Sequence, residues 1–264
     1  MQALVLRQYG KSAAMAAVGY VGESRLFLFS MLLRLLRVLL LLSVWRMVLA
    51  GRGTVSGMTL SGVLTYTLAA EMFADVLQCR TWLEDAFWSG AIVTRMARPM
   101  SLFAQFASEM FGPVLVGLVT FSLPLFLYAP LLGVHPLPAS GSAALLFLVS
   151  LALAVSVGLA LEYIFAGLAI LFEMPPYALT RVRAAVGGLL SGALLPLALL
   201  PWNLGSVLAW LPFASQASAP LRIYTGTGAA PSLIATQALW SILLWPVAHR
   251  IWRLGRERMV SFDG

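Results

Sequence analysis

The chain has 264 residues, of which 61% are hydrophobic and only 10% are charged, and its mean hydropathy is +0.91. These values, together with apolar runs near the roughly 20 residues that cross a bilayer, indicate a polytopic membrane protein without a sizeable soluble domain. The net charge is +7, but the basic residues stand in small groups at the ends of apolar runs. Because duplex binding requires a continuous basic face, nucleic acid is excluded as a partner.

Residues 1–24 are predicted to form an interfacial helix. The stretch that follows Arg7 and Lys11 is weakly apolar, and Gly19 and Gly22 interrupt it. Such an apolar core is too short and broken for a secretory signal, and a longer apolar run follows it. We therefore expect this segment to remain uncleaved and to lie on the cytoplasmic face of the membrane.

Six apolar runs predict six transmembrane helices. They lie at residues 26–49, 59–78, 103–132, 142–172, 182–202 and 230–250. An even number places both termini on one side, and most basic residues fall in the segments that this arrangement assigns to that side. The prediction is an all-α membrane protein with six spans and both termini in the cytoplasm.

Residues 80–98, between spans two and three, form a charged amphipathic segment. Arg80, Thr81, Glu84, Asp85 and Ser89 fall on one helical face, whereas Trp82, Leu83, Ala86 and Phe87 fall on the other. Gly90 permits a change of direction, and Arg98-Pro99 begins the next helix. This pattern is typical of a helix lying flat at the interface, and an ordinary interfacial helix without further function remains an open interpretation.

Two pairs of charged residues lie inside predicted spans. Arg34 and Arg37 share a face of the first span, and Glu71 and Asp75 share a face of the second. Because an isolated charge in a bilayer is costly, we expect these arginines to pair with these carboxylates inside the bundle. Structural pairing, snorkelling towards the headgroups, a part in opening and closing the bundle and direct contact with the substrate all remain open roles.

Spans three to five contain further candidates for function. Glu109 and Glu162 are carboxylates in or near the membrane, and such residues either serve transport or make helix-packing contacts. Ala184, Gly188 and Gly192 recur at four-residue spacing in span five, which allows close approach of another helix. Glu162, Gly188 and Gly192 are the residues that we expect along a translocation pathway.

The segment at residues 203–229 is too apolar for a freely solvated loop and too broken for a span. We expect one or two short helices that dip into the outer interface.

Catalytic signals are largely missing from the sequence. Gly10-Lys11-Ser12 imitates the end of a phosphate-binding loop, but residue 5 is valine where that motif requires glycine. His135 and His249 fall on opposite sides of the predicted topology, which argues against a paired-histidine metal site. We expect no catalytic residue, no metal site and no enzyme activity in this chain.

The predicted arrangement resembles the ABC-2 type permeases of bacterial ATP-binding-cassette exporters. WSGAIVTRMARP, residues 88–99, is similar to the family's Ser-Gly followed eight residues later by Arg-Pro at the entry to span three. LPFASQASAPLRIYTG, residues 211–226, is similar to an outer stretch of one bacterial subgroup. The likeness extends over nearly the whole chain.

This resemblance implies an exporter permease in the bacterial cytoplasmic membrane, paired with a second copy or a related chain. It implies that residues 1–24 and 80–98 dock on a separately encoded ATPase, which would bind the ATP and magnesium that this chain does not. Spans two and five would line the pathway. The residues expected to couple to the ATPase are Arg80, Trp82, Glu84, Asp85, Phe87, Arg95 and Arg98.

Two other interpretations are open at this point. An ion-coupled secondary transporter would use Glu71, Asp75 or Glu162, and a membrane scaffold would transport nothing. The amphipathic segment at residues 80–98 favours the exporter, because an ion-coupled carrier has no need of such a lever.

Overall fold

The computed structural model describes residues 2–22, 27–51, 53–98, 101–174 and 177–262, and almost all of them are helical. Pro99 and the last residues of the predicted helix 1–24 lie outside this part. The helices are α1 Gln2–Gly22, α2 Phe27–Val48, α3 Leu60–Met72, α4 Ala74–Gln78, α5 Leu83–Trp88, α6 Ala91–Met96, α7 Leu102–Gly117, α8 Leu123–Tyr128, α9 Gly141–Leu171, α10 Ala178–Leu190, α11 Leu204–Leu208, α12 Pro212–Gln216, α13 Ser218–Tyr224 and α14 Ala230–Phe262.

Short elements join these helices. β1, Thr54–Val55, and β2, Met58–Thr59, pair antiparallel between α2 and α3. A π-helical turn at Leu118–Ser122 joins α7 to α8, and a 3-10 turn at Ala129–Leu132 follows α8.

Four helical stretches in the described chain are long and apolar enough to cross a membrane. They are Phe27–Val48, Leu102–Leu132, Gly141–Leu171 and Ala230–Gly255, and they fall on the predicted spans one, three, four and six. The predicted second and fifth spans are not single long helices. The fold is thus that of a multi-pass helical membrane protein in which two of the six predicted crossings are broken.

The second predicted span consists of α3 and α4, which meet at Phe73. The break frees the carbonyl of Met72, and the Ser122 hydroxyl of the π-helical turn donates a hydrogen bond to it at 2.5 Å. α4 then ends at Gln78, and the next residue, Cys79, has a left-handed φ of 45°. A side-chain donor from a neighbouring helix therefore satisfies the backbone group that the break releases.

The fifth predicted span, residues 182–202, is also interrupted, because α10 ends at Leu190. Gly192 adopts a left-handed φ of 79°, a conformation that glycine takes without steric cost. Its carbonyl accepts a hydrogen bond from the Tyr66 hydroxyl at 2.8 Å, which fixes the turn against α3. The predicted span at residues 182–202 is therefore not a single helix, because this turn ends α10.

The segment at residues 203–229 folds into three short helices, α11 to α13, where one or two were expected. Most of the stretch from Ala214 to Tyr224 is buried, and α12 and α13 pack on α9 and α14. Gln237 of α14 donates to the carbonyl of Ser215 at 2.8 Å and accepts from the Ser150 hydroxyl of α9 at 2.7 Å. A buried amide thus holds the segment between the two longest helices.

α1 packs along α7 through small residues. Gly112 of α7 lies directly against the backbone of Ala13 and Ala17, so that a side chain at this position would overlap them. Most of α2 is exposed, and both α2 and the described side chains of α14 include exposed apolar residues, among them Leu32, Leu40, Leu239 and Ile242. Exposed apolar faces of this kind suit contact with lipid or with another membrane chain.

Candidate functional site

Residues 80–98 fold into the α5–α6 hairpin, two short helices joined at Gly90, which has a left-handed φ of 73°. Its tip, near the Gly90 turn, is exposed and apolar, with Trp88 and Val93 40% and 69% exposed, and Met96 at the other end of α6 is 41% exposed. Arg98 is exposed as well. The surface of the hairpin is therefore less polar than the sequence predicts.

Glu84 is buried beneath α10 rather than exposed. Its carboxylate accepts a hydrogen bond from the backbone N–H of Tyr177 at 2.5 Å and another from the Thr180 hydroxyl. A carboxylate is favourable at the N-terminus of a helix, where backbone N–H groups lack partners. The predicted placement of Glu84 on an exposed polar face is wrong, because the first turn of α10 covers it.

Arg80 and Asp85 stay nearer the surface of the α5–α6 hairpin. Arg80 is exposed, and Asp85 is partly exposed beside Tyr177. The hydrogen bond and negative charge of Asp85 raise the pKa of the Tyr177 phenol, which the positive charge of Arg80 partly offsets. The two predicted anchors, Trp82 and Phe87, are half-buried.

Arg95 fastens the hairpin to α7. Its Nη1 lies 2.7 Å from both carboxylate oxygens of Glu109, and its guanidinium lies 4.7 Å from the centre of the Phe106 ring. The side-chain amide of Gln105 donates to the Arg95 carbonyl at 3.1 Å. The sequence offered Arg95 as a docking contact, whereas the structure places its charge in an internal ion pair.

Glu162 lies at the centre of a second buried attachment. One carboxylate oxygen accepts from the backbone N–H and the hydroxyl of Thr81, at 2.7 Å and 3.0 Å. The other lies 3.0 Å from Nη1 of Arg183 on α10. Nη2 of Arg183 donates to the carbonyl of Gln78 at 2.8 Å. This network joins α9, α10 and the start of the hairpin at one buried point.

The sequence did not predict that Arg183 pairs with Glu162, because Arg183 was counted only among the basic residues that indicate which side of the membrane is cytoplasmic. A useful signal was present, because Arg183 lies within the helical pattern of span five and Glu162 within that of span four. Two opposite charges inside neighbouring apolar segments are candidates for pairing.

The four charged residues of the first two predicted spans lie together as two ion pairs. Nη1 of Arg34 is 2.8 Å from a carboxylate oxygen of Asp75, and Nη2 of Arg37 is 3.0 Å from one of Glu71. The Arg34 guanidinium also lies over a phenylalanine ring. Gly117 makes room for Asp75, since a Cβ there would overlap the carboxylate. The pairs hold α2 to α3 and α4.

A cleft of about 310 Å³ lies between the second predicted span and α10. We call it the basic cleft, because three arginines and one glutamate line it. The charged lining residues are Arg37, Arg80, Arg183 and Glu71. Ala70, Ala74, Leu77, Ala184, Gly187, Gly188 and Leu194 supply most of its apolar wall.

The residues predicted for a pathway separate in the structure. Gly188 lines the basic cleft, and a Cβ added to it would meet nothing within 4 Å. Gly192 is buried in the turn that ends α10, and Glu162 is buried in its ion pair. Of the three, Gly188 alone lies on an open surface of the cleft.

The fold and these contacts define a multi-pass membrane protein with a hairpin fastened by buried polar contacts to its long helices. A family model described as ABC-2 family transporter protein matches residues 34–262, and the chain belongs to this family. Membership makes it a membrane component of a transporter rather than a catalyst, and implies association with an ABC ATPase. Searches of curated proteins and of solved structures find no match to the chain.

Proposed function

We propose that the chain is the permease subunit of an ABC-2 type exporter and that the α5–α6 hairpin couples it to a separately encoded ATPase. The main support for this proposal is that three separate polar contacts attach the hairpin to three different helices. Thr81 is bonded to α9, Glu84 to the start of α10 and Arg95 to α7. A surface element attached in this way moves together with the helices beneath it.

The fastenings are polar and largely buried, which makes them costly to break. Hydrogen bonds to a charged group, such as those of Glu162 with Thr81 and of Glu84 with Tyr177, contribute about 1.5–3 kcal/mol each. A displacement applied at the tip of the hairpin is therefore passed to α7, α9 and α10 rather than absorbed by local unfolding. ATP binding shifts the permease only if the ATPase makes different contacts with its two conformations.

The exposed tip supplies the surface for these contacts. Trp88 and Val93, near the Gly90 turn, form its apolar part. The exposed Met96, Arg80 and Arg98 lie at the other end of the hairpin and extend this surface with apolar and positively charged groups. Aromatic residues, methionine and arginine are enriched where proteins bind each other. Glu84 and Arg95 would then transmit the motion from inside the protein, while the tip makes the docking contacts.

The ion-coupled alternative receives less support from the geometry. Glu71, Asp75 and Glu162 each lie within 3.0 Å of an arginine nitrogen. Each of these carboxylates is therefore already engaged in an ion pair, which an ion-coupled carrier would have to break in order to bind its ion.

We also propose the bacterial cytoplasmic membrane as the location, with both termini and the α5–α6 hairpin in the cytoplasm and a second permease copy or a related chain completing the pathway. The basic residues at the ends of the apolar helices support this orientation. The apolar faces of α2 and α14 are available to lipid and to the second chain.

Reconstitution into proteoliposomes tests the proposal. The permease is purified with its ABC ATPase partner, and export of a fluorescent hydrophobic cation and of a fluorescent fatty acid is measured. We expect transport of at least one probe that requires both the ATPase and ATP. Transport by the permease alone, driven by a proton or sodium gradient, would instead establish the ion-coupled alternative.

A further inference from the structure

The basic cleft combines positive charge with an apolar wall. Arg37 and Arg80 are both exposed, and each lines the cleft. Alanine, glycine and leucine side chains cover much of the remaining surface. This pairing of guanidinium groups with hydrocarbon suits a ligand that has an anionic group and an aliphatic part.

The charge in the cleft is not fully compensated. Arg183 is neutralised by Glu162, and Arg37 lies beside Glu71. Arg80 takes part in none of the four ion pairs found among the described residues. Arg37 is 54% exposed and uses Nη2 for its contact with Glu71, so other donors of its guanidinium remain available to a ligand.

The volume also fits a small ligand. About 310 Å³ is at the lower end of the roughly 300–1,000 Å³ typical of small-molecule sites. Gly187 and Gly188 have no side chains that project into the cleft from α10, and no heavy atom lies closer than 4.0 Å to a Cβ built at either position. A hydrocarbon chain can thus lie along α10 while its charged end meets arginine.

We propose that the basic cleft binds anionic amphiphiles, with Arg37 and Arg80 receiving the anionic group and the Ala- and Gly-rich wall receiving the aliphatic chain. That such a ligand is the exported cargo rests on the proposed function, whereas the binding itself does not. The anionic amphiphile has two possible sources, a free molecule or a membrane lipid, and both present the same chemistry to the cleft.

Equilibrium binding to the isolated permease tests this proposal. The permease is placed in phosphatidylcholine nanodiscs without ATPase or ATP, and binding of radiolabelled dodecyl phosphate is compared with that of dodecyltrimethylammonium and dodecyl maltoside. We expect saturable binding of the phosphate and at least tenfold weaker binding of the other two. Equal binding of all three probes overturns the proposal.

Variants locate the binding. Arg80→Gln and Arg37→Gln should each weaken dodecyl phosphate binding about tenfold, and Glu71→Gln should strengthen it, because it removes the negative charge from the cleft. Arg181→Gln is the matched control, since this exposed arginine of α10 does not line the cleft. Binding by both arginine variants that equals that of Arg181→Gln overturns the proposal.

Two further measurements test whether binding depends on the charge at position 37 and where the ligand comes from. Arg37→Lys keeps the charge and should bind within about threefold of the unchanged protein, whereas a loss as large as in Arg37→Gln contradicts a charge-based site. Phosphatidylglycerol in the nanodisc identifies the source: competition supports a lipid headgroup in the cleft, and undiminished binding supports a free amphiphile. Because no ATPase is present, failure of binding is distinguishable from failure of coupling.

Discussion

The buried ion pair between Glu162 and Arg183 allows a quantitative stability prediction. Glu162→Gln preserves side-chain size and still accepts from Thr81, but it leaves the charge of Arg183 without a carboxylate in a site where that residue is only 8% exposed. Removing one partner of a buried pair costs about 3–5 kcal/mol. We expect about 3 kcal/mol, because Arg183 keeps its 2.8 Å bond to the Gln78 carbonyl.

Thermal unfolding of the purified protein in detergent measures this loss. About 3 kcal/mol corresponds to a fall in Tm of roughly 6–12 °C for a chain of this size. The double variant Glu162→Gln/Arg183→Gln removes the uncompensated charge as well. Its loss of unfolding free energy should therefore be smaller than the sum of the losses in the two single variants, by about 1–3 kcal/mol.

Arg181→Gln serves as the control, because it removes an exposed arginine of the same helix and should change Tm by less than about 2 °C. An additive double-mutant cycle would show that Glu162 and Arg183 are not energetically coupled. So would a Glu162→Gln protein as stable as the control, since the charge of Arg183 would then be compensated in some other way.

Three further predictions concern one ion pair and two individual residues. A double-mutant cycle of Arg34→Ala and Asp75→Ala should give a coupling energy of about 1 kcal/mol, and additivity would reject that pairing. Gly192→Ala should lower the free energy of unfolding by about 1–3 kcal/mol, because φ is 79° and two side chains lie 3.0 Å from the new Cβ. The matched change Gly188→Ala places its Cβ in open space and should be tolerated. Equal losses of unfolding free energy in the two variants would contradict this. Burial raises the pKa of the Cys79 thiol to about 12, so maleimide should label it at pH 8 only after unfolding, and rapid labelling of the native protein would exclude this environment.

The long apolar helices were predictable because hydropathy and length are enough to define them. The breaks at Phe73 and Gly192 were harder, since each depends on a partner from another helix. The Ser122 hydroxyl satisfies the Met72 carbonyl, and the Tyr66 hydroxyl satisfies that of Gly192. Neither contact leaves a local pattern in the sequence.

The charges inside the first two spans illustrate what sequence spacing can establish. Shared helical faces placed Arg34 and Arg37 opposite Glu71 and Asp75, and the cost of isolated charge in a bilayer predicted their association. The spacing did not decide which arginine meets which carboxylate. That depends on the rotation of α2 against α3 and α4, which packing determines.

The α5–α6 hairpin shows where a two-faced pattern fails. Helical spacing separates polar from apolar residues but assumes that the polar side faces water. Glu84 instead caps α10, and Arg95 meets Glu109. Both partners come from other elements, so a charged residue that looked like part of a docking surface serves an internal attachment.

Site-specific crosslinking shows directly whether the tip of the α5–α6 hairpin contacts an ATPase. A photoreactive amino acid replaces Val93, which is 69% exposed at the tip, or Val207 of α11, which is 64% exposed on the side predicted to face outwards. After coexpression with the ABC ATPase partner and illumination, we predict a permease–ATPase adduct from position 93 whose yield changes with ATP, and none from position 207. Equal yields at the two positions, or no adduct at position 93 in an active complex, would contradict the account.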